Sequence, residues 1–294
     1  MKNSDPVSVR PMIVQRVNGL QSSPLSDSLS VEEPLEIRIG YCSGGKRVQK
    51  NISVTMRTPG NDIELATGFL FTEGIITLKE DIDDINLAGM NCSLQKNNIV
   101  QVELAEAVNP RLMQSDRNFY TTSSCGICGK TSIESVRTVS VFHNRTEKPR
   151  LELIAEILYQ LPDKLKASQN NFSFTGGIHA SGLFTIDGEL LLMREDVGRH
   201  NALDKLIGAA LMRDSLPATQ HILLLSGRAS FELIQKAAMA GINIVAAIGA
   251  PSTLAVDLAK EFDMTLLGFL KENRFNIYNL GEHIKIPAIY ENQN

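Results

Sequence analysis

Two closely spaced cysteines form the stretch of the chain most suited to chemistry. Cys125 and Cys128 stand in the run Thr-Thr-Ser-Ser-Cys-Gly-Ile-Cys-Gly-Lys at positions 121–130. Their sulfurs can face a common metal ion, a common disulfide or a common sulfur-transfer partner. The motif alone does not choose among these uses. A structural zinc knuckle, or two unreactive loop thiols, would show the same spacing.

The residues around the pair favour reactive thiolates. Small residues keep the backbone around Cys125 open, and Thr131 and Glu134 have the spacing of a capping box at the start of a helix. The sequence therefore predicts an exposed loop that enters a helix N-terminus. That position and the neighbouring Lys130 both stabilise a thiolate relative to a thiol, and nucleophilic sulfur chemistry uses the thiolate.

Composition limits the classes of function. The 294 residues suffice for a large core and predict two domains, and the apolar fraction of 43% is ordinary for a globular protein. The net charge of −4 argues against a general nucleic-acid binder. We expect a cytoplasmic protein without membrane partners, because no apolar leader or membrane-length run is found. Four cysteines are too few for a disulfide scaffold, so Cys42 and Cys92 are interpreted as reduced thiols.

The first part of the chain predicts a small α+β domain over residues 34–108. Residues 1–33 before it are rich in Ser, Pro and Asn and are interpreted as a tail with one candidate edge strand. Alternating apolar residues from 35 to 56, around a turn at 43–46, indicate a β-hairpin with one buried face.

A helix and a second pair of strands should complete this domain. The helix begins after Asn61 and is expected to pack on the hairpin. The second pair ends in the strict alternation Val100, Val102, Leu104. The acidic run at 80–84 between them is interpreted as solvated surface rather than a metal site.

A polar connector, residues 109–130, carries the cysteine loop to a second domain over 131–294. Strand-like runs at 172–178 and 183–186 precede a helix at 201–212. Three units then follow, each an apolar strand, a loop and a helix or turn. Right-handed crossovers between parallel strands would place the three loops at one edge of the sheet, where α/β proteins bind ligands. The loops are 226–230, 249–252 and 269–274.

These three loops contain groups that suit a nucleotide. Ser226, Gly227 and Arg228 offer backbone N–H groups, a hydroxyl and a guanidinium for a phosphate. The third loop adds Phe269 for stacking and two cations. Each loop taken singly is equally well explained as a turn that needs small residues, and only their convergence favours binding. No GxGxxG or Walker-type motif is present.

A dense polar run, Arg-Glu-Asp-Val-Gly-Arg-His-Asn at 194–201, is interpreted either as a buried ion network, which is slightly favoured, or as part of the site. His179 is interpreted in the same way. Zinc deaminases carry His-x-Glu followed by Pro-Cys-x-x-Cys. Here Ser181 occupies the Glu position and the cysteines precede the histidine, so deamination is not supported.

Taken together, the runs 124–129, 177–179, 194–202, 226–228 and 250–252, with Arg-Thr-Pro-Gly-Asn-Asp at 57–62, closely resemble the FdhD family of formate dehydrogenase accessory sulfurtransferases. The resemblance covers nearly the whole chain. It implies a cytoplasmic homodimer that accepts sulfur from a cysteine desulfurase. The sulfur would pass to the molybdenum or tungsten bis-guanine-dinucleotide cofactor before that cofactor enters formate dehydrogenase.

The resemblance also implies roles for residues. Cys125 would carry the persulfide and Cys128 would assist it. A cytidine-deaminase-like domain would bind the cofactor, with GDP as a surrogate ligand. The cofactor segment comprises Phe269, Leu270, Lys271, Glu272, Asn273 and Arg274. Leu270 and Lys271 stand where a small residue and Arg are frequent in the family, and Lys lacks the bidentate phosphate recognition of Arg.

Two classes of function follow from these observations. The first is a sulfurtransferase with a persulfide on Cys125. The second is a non-catalytic chaperone that binds and protects the cofactor, with zinc on the cysteine pair.

Overall fold

The computed structural model describes residues 8–88, 98–110, 112, 142 and 149–287. Fourteen strands and six helices are found in these ranges. The strands are β1 (Val9–Asn18), β2 (Gln21–Ser30), β3 (Glu33–Ser43), β4 (Lys46–Arg57), β5 (Ile82–Ala88), β6 (Ile99–Leu104), β7 (Leu151–Glu152), β8 (His179–Thr185), β9 (Leu190–Asp196), β10 (His221–Leu225), β11 (Ile244–Ala247), β12 (Thr265–Lys271), β13 (Arg274–Asn279) and β14 (Ile284–Lys285). The helices are α1 (Asp62–Thr72), α2 (Ala155–Ser168), α3 (Asn170–Thr175), α4 (Arg199–Met212), α5 (Phe231–Met239) and α6 (Thr253–Glu261). The prediction of a mixed α and β fold is confirmed.

The region predicted as a tail with one candidate edge strand forms a two-stranded hairpin, and the candidate strand lies within β1. β1 and β2 pair antiparallel from Val9↔Ser30 to Asn18↔Gln21. Gly19 has a φ of 60°, which suits the first central position of a two-residue hairpin turn. Gly19 was the sequence signal for this turn, because Gly is favoured at that first central position. The hairpin was not predicted because the Ser- and Pro-rich composition of this region is atypical of strands.

The predicted hairpin over 35–56 is confirmed and lies in a four-stranded sheet of order β4-β3-β6-β5. Leu35, Ile37 and Ile39 alternate along β3 with fully buried side chains, so one face of the hairpin forms core. β6 joins β3 in parallel and pairs antiparallel with β5.

Helix α1 lies between this sheet and α4. Its Leu65 and Leu70 share an apolar cluster with Leu35 and Ile37 of the sheet and with Leu203 of α4. Gly68 of α1 and Gly208 of α4 lie at the crossing. A Cβ on Gly68 would overlap the carbonyl oxygen of Asp204. The two helices therefore touch backbone to backbone, and the helix predicted to pack on the hairpin also joins the two large sheets.

We expect Gly208→Ala to destabilise the protein by about 2–3 kcal/mol, because its Cβ would overlap the carbonyl oxygen of Glu64. At an exposed site within a helix, Gly→Ala stabilises the folded protein by about 1 kcal/mol. The sign of the change in unfolding free energy therefore distinguishes a close helix crossing from an exposed site. The measurement is the free energy of unfolding from urea denaturation. Gly177→Ala is the control, since the nearest atom to a Cβ there is 3.8 Å away. Equal stability of the two variants would contradict the close crossing.

The second large sheet has six strands in the order β13-β12-β11-β10-β8-β9. β10, β11 and β12 are parallel, while β8 runs antiparallel to its neighbours β9 and β10. Ile222 and Leu224 of β10 pack on the side of α2, and Leu223 and Leu225 pack on the side of α4, α5 and α6. The sheet is thus covered by helices on both faces, as the predicted strand and helix alternation requires.

One prediction for this region is wrong. The strand predicted at 172–178 is helix α3 and a turn. The Glu195 carboxylate accepts hydrogen bonds from the backbone N–H groups of Asn171 and Phe172, both at 2.9 Å, and so caps this helix. In the third predicted unit the strand is followed by a turn, as the alternative of a helix or a turn allowed, and the turn at 272–273 leads into the antiparallel β13. No helix within the described ranges is long and apolar enough to span a membrane.

Candidate functional site

The three loops predicted to converge do meet at the carboxyl edge of the six-stranded sheet. The Gly249 N–H donates to the Gly227 carbonyl at 3.0 Å, and the Phe269 N–H donates to the Gly249 carbonyl at 3.1 Å. Ala229 and Pro251 form a parallel bridge between the first two loops. Backbone hydrogen bonds therefore fix the loops to one another, and their side chains share one surface.

Small residues are needed in these loops for close approach. A Cβ on Gly227 would lie 3.3 Å from the His179 ring, and one on Gly249 would lie 3.0 Å from the Gly227 carbonyl oxygen. A Cβ on Gly268 would lie 2.8 Å from the Tyr278 ring. Close packing explains the glycines, and most residues of the first two loops are half-buried at the sheet edge.

The predicted cofactor segment, Phe269 to Arg274, forms the end of β12, its turn and the start of β13. Phe269 has a φ of 54°, which is uncommon for an aromatic residue, and its side chain is 38% exposed. Leu270 is fully buried under the sheet, whereas Lys271, Glu272, Asn273 and Arg274 are exposed. The segment offers one aromatic face and two cations to solvent, and its role in binding the cofactor stays a prediction.

The first half of the polar run at 194–201 forms structural contacts. Arg194 pairs with both carboxylate oxygens of Glu64 in α1, and Glu195 caps α3. Asp196 is fully buried and lies 2.7 Å from the ammonium of Lys205. Burial raises the pKa of Asp196, and Lys205 opposes that rise. The ion-network interpretation is therefore confirmed for Arg194 and Asp196, while Glu195 has a structural role as a helix cap.

The second half of the run faces the converging loops. The His200 Nε2 atom lies 3.3 Å from the hydroxyl of Ser230, the N-cap residue of α5, and 3.8 Å from a carboxylate oxygen of Glu232 in its first turn. Contact with His200 is the largest cause that lowers the pKa of Glu232 to about 2. Ser230 belongs to the loop predicted at 226–230, whereas sequence reasoning missed Glu232 in the first turn of the helix that follows.

His179 lies at the same edge, at the start of β8. Its ring packs against Gly227, and the next residue, Ala180, donates its N–H to the Ser226 hydroxyl at 2.8 Å. Burial, followed by the positive charges of Arg199 and His200, lowers the pKa of His179. The imidazole is thus neutral at neutral pH, and it faces a cationic environment next to the first loop.

The predicted sulfur-carrying residues, Cys125 and Cys128, lie outside the described residues, as does Cys92. Cys42 lies in β3 as a free, partly buried thiol whose sulfur is 3.9 Å from a guanidinium nitrogen of Arg47. Within the described ranges, no three His, Cys, Asp or Glu side chains are grouped as metal ligands.

Comparison with known proteins covers nearly the whole chain. A sequence model of the FdhD/NarQ family matches residues 30–285. The chain is 47% identical over 277 residues to the sulfur carrier protein FdhD of Streptomyces coelicolor, covering 94% of this chain and 95% of that protein. It is 43% identical over 262 residues to the protein of that name from Picrophilus torridus, covering 88% and 93%.

The fold also has a solved counterpart. The crystal structure of an inferred formate dehydrogenase accessory protein from Desulfotalea psychrophila matches with a TM-score of 0.70 and 22% identity, over 95% of this chain and all of that one. That likeness supports the fold. The family match and the sequence identities given above show that the chain belongs to the FdhD/NarQ family.

Proposed function

We propose that this protein is a cytoplasmic sulfur carrier for formate dehydrogenase maturation. It accepts sulfur from a cysteine desulfurase as a persulfide on Cys125 and delivers it to the molybdenum or tungsten bis-guanine-dinucleotide cofactor. The observation that carries the proposal is the identity of 43–48% with proteins named sulfur carrier protein FdhD over most of both chains.

The sulfur chemistry balances with the two cysteines. The Cys125 thiolate attacks the outer sulfur of the desulfurase persulfide, a new S–S bond forms, and the desulfurase cysteine leaves as a thiolate. Attack by the Cys128 thiolate on Cys125 Sγ then forms a disulfide and releases sulfide to the cofactor. A thiol reductant restores the pair for the next cycle.

The carboxyl edge of the six-stranded sheet is the proposed cofactor surface, on a cytidine-deaminase-like domain. A mixed sheet with helices on both faces and ligand loops at one edge supports that assignment. Phe269 would stack on the guanine, and Lys271 and Arg274 would meet anionic groups. The proposed assembly is a homodimer, with formate dehydrogenase as the client.

We expect the double variant Lys271→Ala, Arg274→Ala to bind GDP at least tenfold more weakly than the wild type. Each charge-assisted hydrogen bond contributes roughly 1.5–3 kcal/mol, and both exposed cations would be removed. Isothermal calorimetry with GDP is the measurement. Arg16→Ala, Lys46→Ala is the matched control, since it removes one Arg and one Lys from exposed hairpins elsewhere. Equal GDP affinity of wild type and the 271/274 variant would exclude this segment as the nucleotide site.

A further inference from the structure

We propose that the arm, the hairpin of β1 and β2 at residues 9–30, packs against a second copy of this chain. The face of the arm that carries Met12 and Leu29 would lie on the same face of the partner's arm across a two-fold axis. The inference deepens the proposed function, since it rests on the homodimer proposed there and locates its interface.

The arm carries apolar side chains that the rest of the described chain does not bury. No residue of β1 or β2 is buried. Ile13 and Val17 are 71% and 66% exposed, and Met12, Leu29 and Leu20 at the turn are exposed as well. These five residues expose about 600 Å², as much as the largest apolar patch on a typical monomer. An apolar surface of this size indicates a protein contact.

The apolar side chains lie on both faces of the arm. Side chains alternate along a strand, and residues directly opposite each other share a face. Ile13 and Val17 therefore lie on one face, and Met12 and Leu29 lie on the other. A surface that is apolar on two sides suits a permanent interface, because permanent interfaces are the more apolar class. A desulfurase and a client enzyme must each leave a carrier between cycles, so a second copy of the chain is the partner that fits.

The base of the arm is fixed to its own protomer. The Ser30 hydroxyl lies 3.0 Å from the Asn171 side-chain oxygen in α3, and the Asn171 amide donates to the Ser8 carbonyl at 3.3 Å. Strands of ten residues extend about 33 Å from this anchor. A two-stranded hairpin by itself is marginally stable in water at best, so a partner along its length would stabilise it.

The arm is suited to contact through its faces rather than its edges. Pro11 lies in β1 and Pro24 lies in β2. Counted from the Asn18–Gln21 pair beside the turn, both fall at positions whose N–H would point away from the other strand. Both outer edges therefore lack a donor that an added strand would need. Side chains on the faces remain for the partner.

The face with Met12 and Leu29 also has self-complementary charge. Arg10 lies opposite Leu29, and Asp27 lies opposite Met12, so a cation and an anion flank the apolar residues. Neither forms an ion pair with another described residue. A two-fold interface places the same patch of both copies in contact, so the patch must complement itself. Arg10 of one protomer would meet the partner's Asp27, and this contact would occur twice in the dimer.

The area is sufficient for a stable dimer. The two arms together expose about 1,200 Å² of these residues, and stable interfaces bury about 1,200–2,000 Å² in total. The second face, with Ile13 and Val17 among serines, would lie on the body of the partner. An apolar centre with a charged rim is the usual composition of a specific interface.

Sedimentation equilibrium of the full-length protein measures the assembly. We expect a wild-type dimer, and Arg10→Asp and Asp27→Arg should each raise its dissociation constant at least tenfold, because each reversal opposes like charges twice. A 1:1 mixture of the two variants should dimerise as tightly as the wild type, since one presents two cations and the other two anions. Lys46→Asp and Asp163→Arg are the matched controls, because they reverse exposed charges on β4 and α2.

The outcomes separate the arm from the proposed function. If both arm variants dimerise with wild-type affinity, the arm is not the interface and the proposed homodimer stands. If each is monomeric alone and the mixture is monomeric too, the two charges do not meet across a two-fold axis and the inference is wrong. Equal weakening by the controls would reduce the effect to net charge. A monomeric wild type at about 50 μM would overturn both the arm and the homodimer, whereas the sulfur-carrier role depends on persulfide loading of Cys125, which intact-mass spectrometry measures separately.

Discussion

Replacement of Cys125 by Ala is expected to abolish persulfide loading, whereas Cys128→Ala should leave loading measurable. The sequence predicts that Cys125, which follows two serines, lies on the open side of the motif, where a desulfurase loop or a pterin could approach. Cys128 lies nearer the predicted helix start, where it can resolve the persulfide and discharge sulfide. Intact-mass spectrometry after incubation with desulfurase and cysteine measures the adduct, because a persulfide adds one sulfur mass. Formate dehydrogenase activation should be lost with Cys125→Ala.

The matched control is Cys42→Ala, since Cys42 is a free thiol in β3 and should not affect loading. A full adduct on Cys125→Ala, or equal loss in both motif variants, would overturn the assignment. The competing zinc chaperone makes a separate prediction. Protein purified without added zinc would then contain stoichiometric zinc, and replacement of either cysteine would release it.

Local patterns in the sequence predicted much of the scaffold. The alternation through Leu35, Ile37 and Ile39 indicated a strand with one buried face, and the structure confirms it. The apolar strands before the loops at 226 and 249 also predicted parallel pairing and convergence at one edge. These features depend on residue periodicity and on the handedness of crossovers, both of which can be read without tertiary contacts.

Features decided by distant contacts could not be predicted. Helix α3 is capped by Glu195 from β9. The alternation of Phe172 and Phe174 is typical of a strand, and the local sequence does not show the capping contact. The crossing of α1 and α4 depends on Gly68 and Gly208, which lie 140 positions apart and carry no local signal.

The polar run at 194–201 shows the same limit within the site. Its composition allowed both a structural network and a binding role, and the structure divides it between the two. Asp196 is held by Lys205, while Arg199 and His200 lie at the start of α4 and face the loops. The division follows from the end of β9 at Asp196 and the start of α4 at Arg199, three residues later. Neither boundary was evident from the residue types.

Lys205→Met is expected to destabilise the protein by about 3–5 kcal/mol, because it leaves Asp196 as an unpaired charge in the core. The Lys205 ammonium also donates to the Thr58 carbonyl at 2.8 Å, and Asp196 accepts from the Thr58 and Gly198 N–H groups. The pair thus joins the loop after β4 to the turn that precedes α4. Urea denaturation provides the measurement, with Lys79→Met as the control. Lys79 pairs with Asp214 at the exposed surface, where an ion pair contributes about 0–1 kcal/mol.

The pH dependence of Lys205→Met distinguishes an unpaired charge from a simple packing defect. Without Lys205, burial raises the folded-state pKa of Asp196 above its unfolded value with no ammonium to oppose it. A carboxyl group whose pKa is higher in the folded state than in the unfolded state stabilises the fold at pH values below its unfolded-state pKa. That contribution is lost as the pH rises through the folded-state pKa. The variant should therefore lose more stability, relative to wild type, at pH 7 than at pH 4. Adding Asp196→Asn to Lys205→Met should remove that pH dependence, because no ionisable group remains in the pair. A loss that is the same at both pH values, or no greater than that of Lys79→Met, would show that the buried ion pair does not hold the two sheets together.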